Sequence, residues 1–403
     1  MTMRIEDELL LACARLDLDA PSRSRIEELL RNAAIDWPAL LASADRHGLR
    51  PLLHRHLGAV APVRVPKPVL VDLWAGYERG ARRNYAMAGE LIRVLDALEA
   101  EDIPALPYKG PALGCAVYGD LGLREFSDLD ILLPARDVTR AKAKLESMGY
   151  ASDFRISAAA EEAALNSGAH YHVLLRATGG RIVELHWRTD ANFPVERDDA
   201  EWWRSLGRRP FMGVAVRAFP LPEMFLVLCL HGSKHRWGAL AWLVDIAEML
   251  RANAVSDAAA VAARARAMGA ERRLYLGLRL ARDLLEAPIP GPLQAGCERG
   301  DVRALAAEVT RDIFDPRAAG AFARLRRDLA LYDRRSHQLR HAIQVIAAPS
   351  LVEWSRWKLP RALFFLYPAI RLARLTGRYL TRSQRNPPAA TPRTPLPQPH
   401  STG

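Results

Sequence analysis

The chain has 403 residues, half of them hydrophobic and 26% charged, which excludes wholesale disorder and a single small core. Lys+Arg 57 against Asp+Glu 46 leaves a formal net charge of +11. That excess is scattered Arg rather than a basic block, so it permits a polyanionic partner (nucleotide, RNA or an anionic membrane surface) without requiring one.

Apolar residues recur at helical spacing over residues 5–60, at Leu9–Leu11, Ile26, Leu29, Leu30, Leu40 and Leu41. Pro51 and the run Pro62–Pro68 should break this block, and a long helix should follow from about Val69 to Ala100. From Ile103 to about Pro220 the texture changes to short apolar runs between turns. Ile103–Leu106 reads as a strand, followed by Lys109-Gly110-Pro111 and a short helix over Ala112–Tyr118. Leu129–Leu133 is a second strand, and Asp137–Met148 an amphipathic helix stopped by Gly149. Tyr171–Arg176 and Arg181–Trp187 suggest a hairpin around Thr178-Gly179-Gly180, with Val214–Phe219 a further strand. Beyond Leu221 the pattern is helical again, through Glu223–Gly232, Leu240–Ala252, Asp257–Met268, Glu271–Leu285, Val302–Phe314, Ala319–Arg334 and Gln338–Thr381. The expected class is α+β, in four parts: a helical region over 1–100, an α/β core over 101–220, a helical module over 221–382 and a Pro-rich disordered tail over 383–403.

Cys13, Cys115, Cys229 and Cys297 lie far apart, with neither zinc spacing nor the density of a disulfide scaffold, which suits a reducing, cytoplasmic setting. The first twenty residues carry acids before a short apolar run and lack a signal peptide's basic start. The longest apolar stretch, Ala362–Ile370, is too short to span a bilayer.

The informative stretch is YKGPALGCAVYGDLGLREFSDLDILL, Tyr108–Leu133. Asp128 and Asp130 are two apart at the start of a strand and so share a face. Like charges this close repel unless a cation lies between them, and Mg²⁺, a hard ion that prefers oxygen, resolves the conflict. Glu184, mid-strand among Ile182, Val183 and Leu185, is a third acid that is costly there unless paired or coordinated. Three acids on adjacent strands suit phosphoryl or nucleotidyl transfer. A bare DxD is more often a strand-start turn, but a Gly loop and helix before it and an embedded acid after it favour the catalytic reading.

That order (KG, a helix, YGDLGLREFSDLDILL, a helix ending in GY, then VELHW) resembles the uncharacterised nucleotidyltransferase family of the DNA-polymerase-beta superfold. The resemblance extends to HGSKHRWGALAWLVDIAEML and, more faintly, to WSRWKLPRALFFLY. It implies a small mixed sheet flanked by helices and a metal-bound nucleoside triphosphate, ATP foremost. It also implies Asp128, Asp130 and Glu184 as the metal-binding, catalytic triad. The acceptor hydroxyl (small molecule, protein or glycan) is not implied. The wider superfold follows the loop glycine with Gly or Ser, where this chain has Pro111, which has no N–H for phosphate. Lys109 and Gly110 are then the phosphate-binding candidates, with Lys109 compensating as a cation. Arg124 either clamps phosphate or braces the aspartates. The rival reading is a non-catalytic nucleotide-binding regulatory protein of the same fold.

His231 and His235 are four apart but lack the general-base Glu of an HExxH zinc helix. Lys234, His235 or Trp237 either touch the nucleotide or pack helix to sheet. Asp245, alone on an apolar helix, should pair with a His or Arg. His186 shares the face of Glu184, near the metal or, more commonly, as a hydrogen-bonded structural histidine. The basic aromatic segment 354–380 most often packs back onto the body; lying on an anionic membrane is the rarer fate.

Overall fold

The computed structural model describes residues 3–32, 34–152, 156–166, 172–177, 180–193, 200–315 and 321–383. The expected Pro-rich tail from 384 onward and the turn residues Thr178 and Gly179 lie outside the described residues. The chain forms two units: Met1–Asp153 with His170–His341, and Phe154–Ala169 with Ala342–Gly403.

The first unit is α+β. Its sheet has five strands: β1 Leu106–Pro107, β2 Asp128–Leu132, β3 Tyr150–Ser152, β4 His172–Ala177 and β5 Ile182–His186. They lie in the order β1-β2-β5-β4-β3, with β2 and β5 parallel and every other pairing antiparallel. Arg208–Phe211 and Val214–Arg217 form a separate two-stranded sheet. Strand β2 is covered on both sides: Leu129 and Ile131 are fully buried on one face, while Asp130 and Leu132 are buried on the other. The first expected strand is reduced to its last residue plus Pro107, because the ladder to β2 holds only Leu106↔Leu132 and Pro107↔Ile131. Three residues of β3 after Gly149 were too few to show a period of two.

The long helix runs Lys67–Glu99 and buries one stripe, Asn84, Met87, Ala88, Leu91, Val94, Leu95 and Leu98. Pro51 does not break the N-terminal block. It sits in the first turn of the helix Arg50–Val60, where a missing N–H costs no intrahelical bond. The helices Leu221–Lys234, Leu240–Arg251 and Glu271–Leu285 are buried along most of their length and share one core with the N-terminal helices. Gly232 leaves the first of these intact, and its lack of a side chain makes room for Trp237. A Cβ at Gly232 would lie 2.2 Å from the fully buried Trp237 ring, and one at Gly277 3.0 Å from it. Trp237 is therefore a core residue, which decides between the two roles open to it.

The second unit packs Trp354 and Tyr367 with Ala160. No helix among the described residues is long and apolar enough to cross a membrane.

Candidate active site

Parallel pairing of β2 with β5 sets Asp130 directly beside Glu184, with Asp128 beside Ile182 and Leu132 beside His186. Strand alternation then puts Asp128, Asp130, Glu184 and His186 on one sheet face. Donor atoms of Asp130, Glu184 and His186 lie within 4.8 Å of one another. His186 Nε2 is 3.0 Å from Asp130 Oδ1 and 3.1 Å from Glu184 Oε2. Lys109 Nζ approaches Asp130 Oδ1 at 2.5 Å. His186 is thus hydrogen-bonded on the face of Glu184, as its position two residues away suggests, and its imidazole joins the two acids.

The electrostatics follow from this crowding. Burial opposes charge on Asp130, but Lys109 and His186 outweigh it and hold the carboxyl far below the usual range. Burial first, then Asp130 and Glu184, push Asp128 up to about 6. Burial disfavours the His186 cation, yet hydrogen bonds to Asp130 and Glu184 outweigh it and raise its pKa. A buried acidic group of this kind can hold a metal. The donors are mainly carboxylate oxygens, the choice of a hard divalent ion, and the mutual repulsion that lifts Asp128 is what a bound cation relieves. The residues therefore fit.

Local backbone explains how Lys109 arrives there. Gly110 has φ +52, and a Cβ on it would lie 2.9 Å from the Asp128 carbonyl oxygen, so only glycine fits. Pro111 follows in the first turn of the helix Gly110–Leu113, where its missing N–H costs the helix nothing, though it removes one donor from the loop.

The loop between this helix and β2 is pinned from the long helix. Asn84 Nδ2 donates to the carbonyls of Leu121 at 2.7 Å and Arg124 at 2.8 Å, and Tyr77 donates to Asp120 at 3.2 Å. Asn84 escaped sequence reasoning, although a lone amide on the stripe of Met87, Ala88 and Leu91 was a visible signal. Arg124 is buried and committed to Asp245: its Nε and Nη2 donate to the two carboxylate oxygens, each at 2.9 Å. Tyr118 donates to the same carboxylate at 2.7 Å. The lone acid of the helix Leu240–Arg251 thus finds its arginine, and the guanidinium is bonded to Asp245 instead of to Asp128 or Asp130.

Lys234 and His235 sit at the end of the helix Leu221–Lys234. Solvent reaches both side chains, yet nearby protein shifts both. Burial, then Lys109, lower Lys234 to about 8, with Asp130 opposing. Burial, then Lys234 and Lys109, lower His235 to about 4. His231 is held well below its ordinary value by burial and then Lys109. The His231 and His235 rings lie 4.6 Å apart, and Trp242 packs 5.2 Å from His235. Lys109, Lys234 and the acidic face therefore feel one another's charge.

No curated protein and no solved structure matches the chain. The model of the uncharacterised nucleotidyltransferase family matches residues 33–286, more than half of the chain and all of the motif-bearing segment. With the acidic strand pair inside that span, the chain belongs to the uncharacterised nucleotidyltransferase family, and the enzyme class it carries is nucleotidyl transfer.

Proposed function

We propose that the protein is a cytoplasmic, Mg²⁺-dependent enzyme that transfers a nucleoside monophosphate from a triphosphate, ATP foremost, to an acceptor hydroxyl. The observation that carries this reading is the register of β2 on β5, which sets Asp130 against Glu184 with Asp128 on the same face and Lys109 in contact. Asp128, Asp130 and Glu184 would hold the metal, with His186 supporting the two acids it touches. Bound Mg²⁺ would offset the charge of the triphosphate. Lys109 and Lys234 supply cations for phosphate oxygens, and a lysine lowered to about 8 is still mostly protonated at neutral pH. His235 follows Lys234 at the end of the same helix. Glu184 polarises the acceptor hydroxyl and takes its proton. The acceptor oxygen then bonds to the α-phosphorus as the bond from that phosphorus to the bridging oxygen breaks, and pyrophosphate leaves with that oxygen. Four free, separated cysteines are consistent with the reducing compartment.

Pyrophosphate release measured beside nucleotide affinity tests the proposal, with Mg²⁺, each nucleoside triphosphate and acceptor-rich cell extract. Glu184→Gln should cut turnover by about 100-fold or more while sparing affinity. Asp130→Asn and Lys234→Met should weaken nucleotide binding. Loss of one donor at Pro111 favours a second reading, a regulatory binder, which predicts binding without any release in the wild type. Release unchanged in Asp130→Asn would sink both readings of this site.

A further inference from the structure

The segment 342–383 carries seven Lys and Arg against a single acid, Glu353. Glu353 is fully buried and bonded by Arg374, with Arg371 at 3.6 Å and the Ser350 N–H at 2.6 Å. The acid is thereby used up inside the unit, while Arg356, Lys358 and Arg361 stand exposed on the outside. Glu162 lies 3.5 Å from Arg361, and both of these side chains are more than half exposed.

The apolar residues divide in the same way. Trp354, Phe364 and Tyr367 pack together, with ring centroids 4.9 Å apart for Trp354–Phe364 and 4.0 Å for Trp354–Tyr367. That cluster fixes the short turn of helix Arg361–Leu366, which then points its other side chains outward: Phe365 is 72% exposed, and Leu363 and Leu366 are exposed beside it. Of the sixteen large hydrophobics exposed among the described residues, eight fall between Ile343 and Leu372. Concentration of this kind marks an interaction surface, whereas single exposed apolar residues need no explanation.

We infer that this C-terminal unit is a docking surface for an anionic lipid bilayer. An apolar turn rimmed by cations matches the headgroup boundary, where Phe and Leu enter the acyl edge and Arg and Lys meet lipid phosphates. A second copy would bring the exposed cations Arg356, Lys358 and Arg361 against their own counterparts, with Glu162 the exposed acid beside them, and that excess of cations opposes self-association through this face. The contact is peripheral, since no described helix can span. It stands independently of the catalytic proposal.

Sedimentation of the full chain with vesicles of phosphatidylcholine, alone or mixed with phosphatidylglycerol, tests this. The chain should pellet with the mixed vesicles, less so at high salt, and remain in solution with phosphatidylcholine alone. Phe365→Glu should abolish pelleting, and Lys358→Glu/Arg361→Glu should weaken it by about 25-fold or more, at roughly fivefold per cation. Circular dichroism identifies any misfolded variant, and the charge reversal keeps the test open if Phe365→Glu does not fold. The inference is overturned if the chain ignores mixed vesicles, or if the charge reversal binds them like the wild type. It is equally overturned if Phe365→Glu turns an oligomer into a monomer while lipid binding is unchanged, which would make the face an interface between copies.

Discussion

Asp245→Ala should be among the most destabilising single changes in the first unit. Asp245 is 1% exposed and Arg124 8%, and the carboxylate accepts two bonds of 2.9 Å from the guanidinium and one of 2.7 Å from Tyr118. Truncation leaves a buried guanidinium with no counter-charge and a buried hydroxyl with no acceptor. Breaking one side of such a pair costs about 3–5 kcal/mol, and the orphaned hydroxyl accounts for about 1–3 kcal/mol of a loss of that kind. Removing both charges at once is a different perturbation. Arg124→Met/Asp245→Leu fills the space with apolar atoms and should recover most of the loss. Urea denaturation followed by tryptophan fluorescence measures Asp245→Ala, and the same melts on Arg124→Met, Asp245→Leu and the double close the cycle. A loss under about 1 kcal/mol for Asp245→Ala would refute the account of a desolvated pair. Nucleotide affinity of the double variant then tests whether Arg124 also holds phosphate. An arginine that serves only Asp245 predicts affinity close to wild type, whereas a drop of more than about tenfold (1.4 kcal/mol) in a stably folded double variant would place Arg124 on the phosphates.

Gly110→Ala should cost roughly 2 kcal/mol in stability, from the left-handed backbone and the contact with the Asp128 carbonyl, and should reduce turnover further by displacing Asp128; an active, unperturbed variant would refute the close approach. Stability should fall as pH drops from about 6.5 toward 4, in part through His47, which is fully buried, accepts from the Leu240 N–H at 3.4 Å and is held at about 4 by burial and then Arg46. Its folded pKa is depressed, so the unfolded chain binds more protons in that window and the folded state loses roughly 3 kcal/mol across it; His47→Gln should flatten this part of the profile in a pH series of urea melts, and an unchanged slope would refute the assignment.

Much of the site was legible because its signals are local. Spacing of two put Asp128 and Asp130 on one face without any knowledge of the sheet, and an acid amid Ile182, Val183 and Leu185 marked Glu184 as a residue needing a partner. Gly110 announced a tight turn. Asn84 and the Arg124–Asp245 pair were harder, since their partners lie 37 and 40 residues away for the first and 121 for the second. Sequence proximity carries no information about contacts at that range.

The helical periods, the apolar strand cores and the order of glycine loop, DxD and embedded acid were determined by the sequence alone, because each depends on neighbours within a few residues. The tertiary structure decided the rest. Parallel register chose Glu184, rather than its neighbours, to stand beside Asp130, and brought His186 to bridge them. Packing of the helix Leu240–Arg251 against the loop before β2 brought Arg124 onto Asp245. Which of several nearby carboxylates a buried cation meets is a matter of which backbone surfaces pack together, and burial makes that choice strong by removing water as the competing partner.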